Sequence, residues 1–565
     1  MDRVLFIENY HEQGSHHDSE TILQHLPAIQ SDIAHLNSEI TRLKSALTSL
    51  ENYRERLNRC VAIGKSLIPP PVHRLPSELL SHIFKVICDD GPISELSSSN
   101  LRYTPPPPPV RMSAVCAYWR AIALSTSNLW SAVKFALELS PNTNVERLHR
   151  MTERFITRAR TSPLTIAFEI PEGQRALDPG DPFTVVVNHA VEVLCERSFQ
   201  WLDVELHVPS NFFLLPAIRG IRGNLPNLRN ISICDLQIPL ASTYILFDGG
   251  CPALRAMTIH MLGEQEDIIF QTIPWQQVED LKLGDFRPNL ARSPLYLVTL
   301  CPKLISLNLD YNLEVHQPSV DHFTGHVTSN MESLTLMLKS DYNEAQDTWV
   351  EFFDHITLPR LSSLTLQGTY STHQFEDISS ILQCVTRSAC PITSLTLRFN
   401  LLSMTENHRL LSLLPSLTTL ALYEDWTATY SKLKVKLDRV KDFSRLLYVD
   451  SGSPASTTQL ETPHLLPRLH QVSFDLPNFH DPKTLLCPLF DSDQGVDGNL
   501  YRTVASRWLP DRREAVVPRG GVDSLQSVTI MFANSWRRRP NLPDLAKLRK
   551  LGEEGLEVFI RDKDS

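Results

Sequence analysis

The 565-residue sequence predicts an α/β chain in three parts: an N-terminal coiled-coil helix, a small all-helical unit, and a solenoid of short parallel strands. Three observations carry this reading. From Leu26 to Val61 residues recur at alternating spacings of 3 and 4 without a slip, all aliphatic except Arg54. Two helix-period segments, separated by a proline-rich stretch, follow up to about residue 135. From Trp201 to Leu417 an apolar octad returns at eight intervals across 216 residues, a mean of 27.

Composition bounds the function classes. At roughly 150 residues per domain the chain holds material for three to four domains. Apolar residues make up 42% and charged residues 21%, as in a soluble globular protein. With 54 basic against 64 acidic residues the net charge is −10, which argues against nucleic acid as a partner. No run approaches the ~20 apolar residues of a membrane span, and no secretory signal is read in the opening MDRVLFIENYHEQGSHHDSE. Ten cysteines without a C-x-x-C pair read as reduced thiols, placing the chain in the cytoplasm or nucleus. Twenty glycines disfavour folds built on glycine-rich phosphate loops.

Residues 1–21 are polar and read as disordered, and 22–66 as the coiled coil. Taking Leu26 as a, the a positions are Leu26, Ile33, Ile40, Leu47, Arg54 and Val61, and the d positions are Ile29, Leu36, Leu43, Leu50 and Leu57. Leucine at d with isoleucine at two a positions leans toward a parallel dimer, with Arg54 snorkelling to the rim or meeting an acid. The alternatives are a homodimer through this seam or a helix that folds back on its own chain.

Pro69, Pro70 and Pro71 end the helix, because proline lacks the donor and clashes with the preceding turn. In VHRLPSELLSHIFKVIC, Pro76 opens a helix and Leu79, Leu80, Ile83, Phe84 and Ile87 recur at helical spacing. Pro105 to Pro109 reads as polyproline II, either a stiff spacer or a ligand for a proline-binding module. A second helical segment, VRMSAVCAYWRAIALSTSNLW, carries Val115, Trp119 and Ile122 on one stripe, with Trp130 at its exit.

The two halves, L-P-x-E-L-L-x-x-I-F and then V-C-x-x-W-R-x-I-A-L-S-T-x-x-L-W, resemble an F-box domain of the form common in mushroom-type (basidiomycete) fungi. The resemblance covers residues 72–135 of an F-box assigned to 69–135, and the spacer Cys88 to Pro109 is longer and richer in proline than the family's. It implies binding to the Skp-type adaptor of a cullin–RING ubiquitin ligase. Carried over by position, Leu75, Pro76, Leu79 and Ile83 would make the first apolar contacts, and Val115, Trp119 and Trp130 the core and second contact edge. Trp119 and Phe84 equally suit the core of a small helical unit. So short a unit buries too little of its own surface and needs a partner to complete it.

The octads read PNLRNISI at Leu228, PALRAMTI at Leu254, QQVEDLKL at Val278, PKLISLNL at Leu304, NMESLTL at Met331, PRLSSLTL at Leu361, PITSLTL at Ile392 and PSLTTLAL at Leu417. FQWLDVEL at Trp201 opens the series, PRLHQVSF at Leu469 and DSLQSVTI at Leu525 extend it, and FSRLLY at Phe443 is a weak member splitting the longer gap. L-x-x-L-x-L at a period of 24–31 is the leucine-rich-repeat signature, so residues 150–560 read as a leucine-rich-repeat-like α/β solenoid. The asparagine that closes the full motif after two further spacers is present only as Asn312 and Asn400. Cys251, Cys301 and Cys390, each before a proline, read as small buried thiols at equivalent corners.

Strand alternation turns the second, fourth and sixth residues after each octad's first apolar residue toward the open face. The first of these columns is nearly all small: Asn230, Ala256, Asp280, Ser306, Ser333, Ser363, Ser394, Thr419. The third is varied: Cys234, His260, Gly284, Asp310, Met337, Gln367, Arg398, Tyr423. A small-residue floor with one varied column suits a protein-binding surface, with His260, Asp310, Met337, Gln367, Arg398 and Tyr423 as candidate target contacts; simple solvation of uncovered positions is the other reading.

Enzyme motifs fail on specifics. Gly64-Lys65-Ser66 lacks the earlier glycine of a phosphate loop, with Arg59 in its place. Asp491 and Asp493 begin a calcium-loop pattern, but glycine comes one place early at Gly495 and Arg502 holds the acid position. His322 and His326 lack the adjoining glutamate of a zinc hydrolase. The run Trp536 to Arg539 reads as a solvated basic cluster. No cofactor, metal or catalytic residue is read. The sequence thus reads as a non-catalytic substrate-recognition adaptor of a Skp/cullin/F-box ubiquitin ligase, binding a protein target of unknown identity. The alternative is a protein-binding scaffold not coupled to ubiquitin transfer.

Overall fold

The computed structural model describes residues 19–67, 75–89, 94–97, 106–136, 145–170, 182–208, 212–213, 215–221, 223–234, 250–260, 273–286, 294–312, 325–339, 344–368, 378–398, 402–423, 440, 442–448, 465–476, 500–508, 523–532 and 543–562. It divides into two units, Met1–Ile83 and Phe84–Ser565.

In the first unit, α1 runs for 49 residues from Ser19 to Leu67, about 74 Å at the α-helical rise. It carries Pro27 near its start. Intrahelical pairs join Glu39 to Arg42 at 2.9 Å and Glu55 to Arg59, the neighbours that one helical turn provides. Gly64, Lys65 and Ser66 lie in its last turn, so they form no phosphate loop. The heptad residues are uncovered: every aliphatic a and d residue except the half-buried Ile29 is between 39% and 66% exposed. Residues 1–18 and Pro69 to Pro71 lie outside the described residues.

α2, Ser77–Asp89, spans the boundary between the units. The second unit then contains β1 (Ser94–Ser97), α3 (Pro108–Ser113), α4 (Ala117–Ser125), a 3-10 turn at Ser127–Trp130, β2 (Ala132–Ala136), α5 (Val145–Ala159), β3 (Leu164–Glu169), α6 (Pro182–Cys195), β4 (Trp201–His207), α7 (Pro216–Arg219), β5 (Asn230–Cys234), β6 (Ala256–His260), β7 (Asp280–Phe286), α8 (Pro294–Leu300) and β8 (Ser306–Asn312). It continues with β9 (Val327–Thr328), β10 (Ser333–Lys339), α9 (Glu344–Asp354), β11 (Ile356–Thr357), β12 (Ser363–Gly368), α10 (Ser379–Ser388), β13 (Ser394–Arg398), α11 (Met404–Ser412), β14 (Thr419–Tyr423), β15 (Gln471–Leu476), α12 (Leu500–Arg507), β16 (Ser527–Phe532), α13 (Pro543–Glu553) and β17 (Glu557–Asp562).

Fifteen of these strands form one sheet in chain order, interrupted only because β9 and β11 pair with each other instead. Every pairing among its described residues is parallel; for example Ser306, Ser333 and Ser363 are register partners across β8, β10 and β12. Parallel neighbours need a crossover between them, and the return segments supply it. The octads map onto this sheet directly. All three apolar positions of all eleven are buried, and from Leu228 onward each strand begins two residues after the octad's first residue. The second unit is thus a parallel α/β repeat sheet of the solenoid type, as periodicity predicts.

The structure departs from the sequence reading in four places. The sheet begins before residue 150, with β1 and β2 inside the span assigned to the F-box and β3 ahead of the first octad. Phe443 contributes no strand: residues 442–447 are helical, with Val440, Phe443 and Leu447 buried at helical spacing, and β14 pairs directly with β15. Pro108 and Pro109 open α3, so extended geometry stops at Pro107 (φ −49°, ψ 146°); proline is preorganised for a first helical turn, where its missing donor costs nothing. Finally, the single helix expected around Trp119 is two, broken at Ala114–Cys116. Asn400 falls outside the described residues.

The long step between β14 and β16 is closed by Arg507, which is 2% exposed. Its guanidinium donates to the carbonyls of Leu447 (2.5 Å), Leu466 (3.0 Å) and Leu465 (2.6 Å). Nearby, Thr503 Oγ1 donates to Ser444 O at 2.8 Å. Burial pulls the guanidinium down to about 10, so it is still charged at neutral pH. Arg507→Met removes these donors while keeping much of the volume, so the solenoid should lose roughly 3 kcal/mol. The midpoint of its denaturant unfolding reads this; a change under about 0.5 kcal/mol would show that the clamp is dispensable.

Of the three corner thiols expected to be buried, Cys251 and Cys301 are, while Cys390 is only half-buried. Burial pushes Cys251 up to about 11 and Cys301 to about 12, whereas Cys60 is exposed on α1. Mass-resolved labelling at pH 8 should modify Cys60 quickly and the two corner thiols only after denaturation. Equal labelling rates in the native chain would refute their corner role.

Candidate protein-docking surfaces

α2 begins at Pro76, whose carbonyl accepts the Leu80 amide at 3.1 Å. Leu80 and Phe84 are buried, while Leu79 is 52% exposed, Ile83 42%, and Val86 and Ile87 similarly uncovered. These four exposed residues fall at i, i+4, i+7 and i+8, a single stripe on one helix. The helix therefore carries apolar side chains on two faces. Pro76 is exposed and Leu75 half-buried.

Within the second unit, Cys116 caps α4, its Sγ accepting from Trp119 N at 3.4 Å. Arg120 Nε reaches back to Ser113 O at 2.9 Å, fixing the break between α3 and α4. The half-buried Trp119 ring lies 4.8 Å from that of Phe84, and its Nε1 has no hydrogen-bond partner among the described residues. Val115, in the break, is 60% exposed and does not share the face of the buried Ile122. Trp130 is fully buried. Its Nε1 donates to Ala123 O at 2.8 Å, the Phe155 ring meets it edge-on at 5.1 Å, and the Arg158 guanidinium lies 4.3 Å over it. Trp130 is thus a core residue and not a docking contact: the turn that exits α4 must anchor against α5, and only a large side chain with a satisfied donor fills that space.

The varied column of the sheet is only partly assembled as expected. Asp310, Met337 and Gln367 are register neighbours on β8, β10 and β12, and Arg398 is opposite Tyr423 on β13 and β14. Arg398, though, is 5% exposed rather than solvent-facing, so it is withdrawn from the accessible surface. His260 is exposed and opposite Gly284. A Cβ on Gly284 would come within 1.9 Å of His260 Nδ1, so the glycine makes room for the imidazole ring.

A polar cluster at the start of the sheet was not singled out from the sequence. A shallow pocket of about 320 Å³ opens over β3–β6, lined among others by Thr165, Asp203, Glu205, Asn230 and Thr258. Asp203 accepts from Asn230 and from Thr165, the latter at 3.3 Å. Lys134 pairs with Glu169 at 2.5 Å, and its hydrogen bond holds that carboxyl below the usual range. His207 Nε2 contacts Glu205 Oε1 at 2.8 Å and Cys234 Sγ at 3.7 Å. A nucleophilic relay needs the nucleophile on one nitrogen of the basic imidazole and the orienting carboxylate on the other. Here both share Nε2, so the trio is a surface hydrogen-bond group. Its members are spread over β2 to β6 and share no sequence motif, which is why periodicity passed over it.

Of the rejected motifs, Arg502 sits in α12 and His326 contacts Thr357 Oγ1 at 2.7 Å, while Asp491, Asp493, His322 and the Trp536–Arg539 run lie outside the described residues. Among the described residues no helix is long and apolar enough to cross a membrane, and no three His, Cys, Asp or Glu side chains converge as metal ligands would.

The fold places this chain among α/β proteins with a long parallel-stranded repeat sheet. Among solved structures it is similar to one described as "Crystal structure of Rad7 and Elc1 complex in yeast", with 11% identity over 74% of this chain and 96% of that chain and a TM-score of 0.30. No protein-family model matches the sequence, and no curated protein matches it.

Burial separates two residues that the sequence groups together. Val115→Asp should leave stability within about 0.5 kcal/mol, and Trp130→Ala should cost roughly 4 kcal/mol. Thermal unfolding of the two variants measures this, and equal losses would contradict the assigned burial.

Proposed function

We propose that the chain is a non-catalytic substrate-recognition adaptor of a Skp/cullin/F-box type ubiquitin ligase. The observation that carries this reading is the exposed row Leu79, Ile83, Val86 and Ile87 on α2; Leu79 and Ile83 are positions where the resemblance to the F-box puts adaptor contacts, and Val86 and Ile87 extend the same stripe. Each such side chain is worth about 2 kcal/mol when buried; leaving four of them in water on one helix makes sense only when another surface covers them. Val115 is exposed for the same role in the second unit.

The solenoid supplies the other half. Its varied column, with His260, Asp310, Met337, Gln367 and Tyr423, is the proposed target-binding surface, resting on a floor of mostly small residues. Bringing a target to a ubiquitin-charged enzyme raises effective concentration without any chemistry by this chain.

Titration of the full chain against a purified Skp-type adaptor tests the reading. Leu79→Asp with Ile83→Asp should weaken binding at least about 100-fold. Because both side chains are exposed, the unfolding midpoint should not move. Failure of the wild-type chain to bind would sink the proposal. Adaptor binding that never recruits a cullin would instead establish the scaffold reading, in which the helix docks a partner outside ubiquitin transfer.

A further inference from the structure

We infer that α1 is one strand of a parallel, in-register two-stranded coiled coil, whose partner is a second copy of this chain. The inference is independent of the adaptor proposal. It begins from the a and d residues, which recur over five heptads and, but for the half-buried Ile29, stay exposed along α1. A seam at a 3.5-residue repeat fits another helix of the same repeat, because knobs enter holes only at matched spacing.

The flanking charges select the orientation. In a parallel pair, each g position meets the e position five residues on in the other helix. Glu39 at g then faces Lys44 of the second copy, twice per dimer by symmetry. The other facing pairs, Asp32 with Asn37, Ala46 with Glu51 and Tyr53 with Asn58, contain no like charges. Both groups are available: Arg42 takes only Oε2 of Glu39, and Lys44 makes no ion pair among the described residues. The antiparallel alignment that keeps the apolar layers together sets Leu26 against Leu57, Ile33 against Leu50 and Ile40 against Leu43. It also sets Ile29 against Arg54, Glu39 near Ala46 and Lys44 near Asn37, so it gains no attraction across the rim. The parallel form has one cost, two Arg54 side chains in the same layer. A charged a residue fixes register at the expense of stability, and Tyr53 of the second copy offers that guanidinium an aromatic face.

Light scattering of the full chain at tens of micromolar, with circular dichroism to confirm the helix, is the first measurement. The mass should be twice the 64.1 kDa of one chain; a monomer mass overturns the inference. Glu39→Lys should weaken the dimer about tenfold and the double variant Glu39→Lys, Lys44→Glu should restore it. That rescue is specific to the parallel pairing, since the swap does not rebuild the intrahelical bond to Arg42. In a Cys60→Ser background, Leu50→Cys should cross-link to itself on oxidation. A dimer that neither cross-links there nor shows rescue is antiparallel, and that result also overturns the inference. Arg54→Leu should tighten the dimer, showing that the charged layer sets register rather than affinity.

Discussion

The structure depends on one repeated constraint: three apolar side chains per turn must lie over the corresponding three of the next. Leu307, Leu334, Leu364, Leu395 and Leu420 form one unbroken row across neighbouring strands, and Leu309, Leu336, Leu366, Leu397 and Leu422 form a second. Each row runs perpendicular to the strands at the inter-strand spacing of about 4.8 Å. A register slip of one residue would turn every leucine to the opposite face. Stacking therefore sets the period, the parallel direction and the chain-order sequence of strands together.

That constraint also explains what could be read in advance. Burial of an equivalent triplet leaves the same trace at each turn, so the strands from β4 to β16, apart from the separate β9–β11 pair, announce themselves as octads. β1 and β17 cap the sheet, where stacking on one side relaxes the pattern; β2 keeps the apolar spacing as Trp130, Val133 and Phe135, with a tryptophan and a phenylalanine in place of leucines and well ahead of the regular series, and β3 follows Pro163 instead of an aliphatic residue. Phe443 is the converse case. Its neighbours Val440 and Leu447 are spaced as one face of a helix, and a short apolar window does not distinguish that from a strand. The Arg507 clamp was equally invisible, since its three carbonyl acceptors lie 41 to 60 residues away in sequence.

At the docking surfaces the sequence identified positions but not orientation. Leu79, Ile83, Trp119 and Trp130 all read as apolar residues of a small helical unit. Which of them face water follows from what each helix packs against, and this separates the exposed Leu79 and Ile83 from the buried Trp130. Arg398 shows the same limit on the sheet. Alternation sends it to the open face, yet at the end of β13 the strand no longer behaves as an isolated two-residue repeat, and both Leu397 and Arg398 are buried.

The small residues of the open face follow from the packing of the buried one. Ser333, Ser363, Ser394 and Thr419 stand beside one another in register, as do Thr335, Thr365 and Thr396. Parallel in-register stacking places every residue against its own counterpart, so a bulky or charged column would crowd or repel itself along the whole sheet. Short hydroxyl residues satisfy that self-pairing and still tolerate water. Variation gathers at the sixth position after each octad's first residue. His260 and Tyr423 stand at the last pairs of their ladders, opposite Gly284 and Arg398, whereas Asp310, Met337 and Gln367 stay in register inside a ladder that runs on past them, and differ enough in size and charge not to repel one another there.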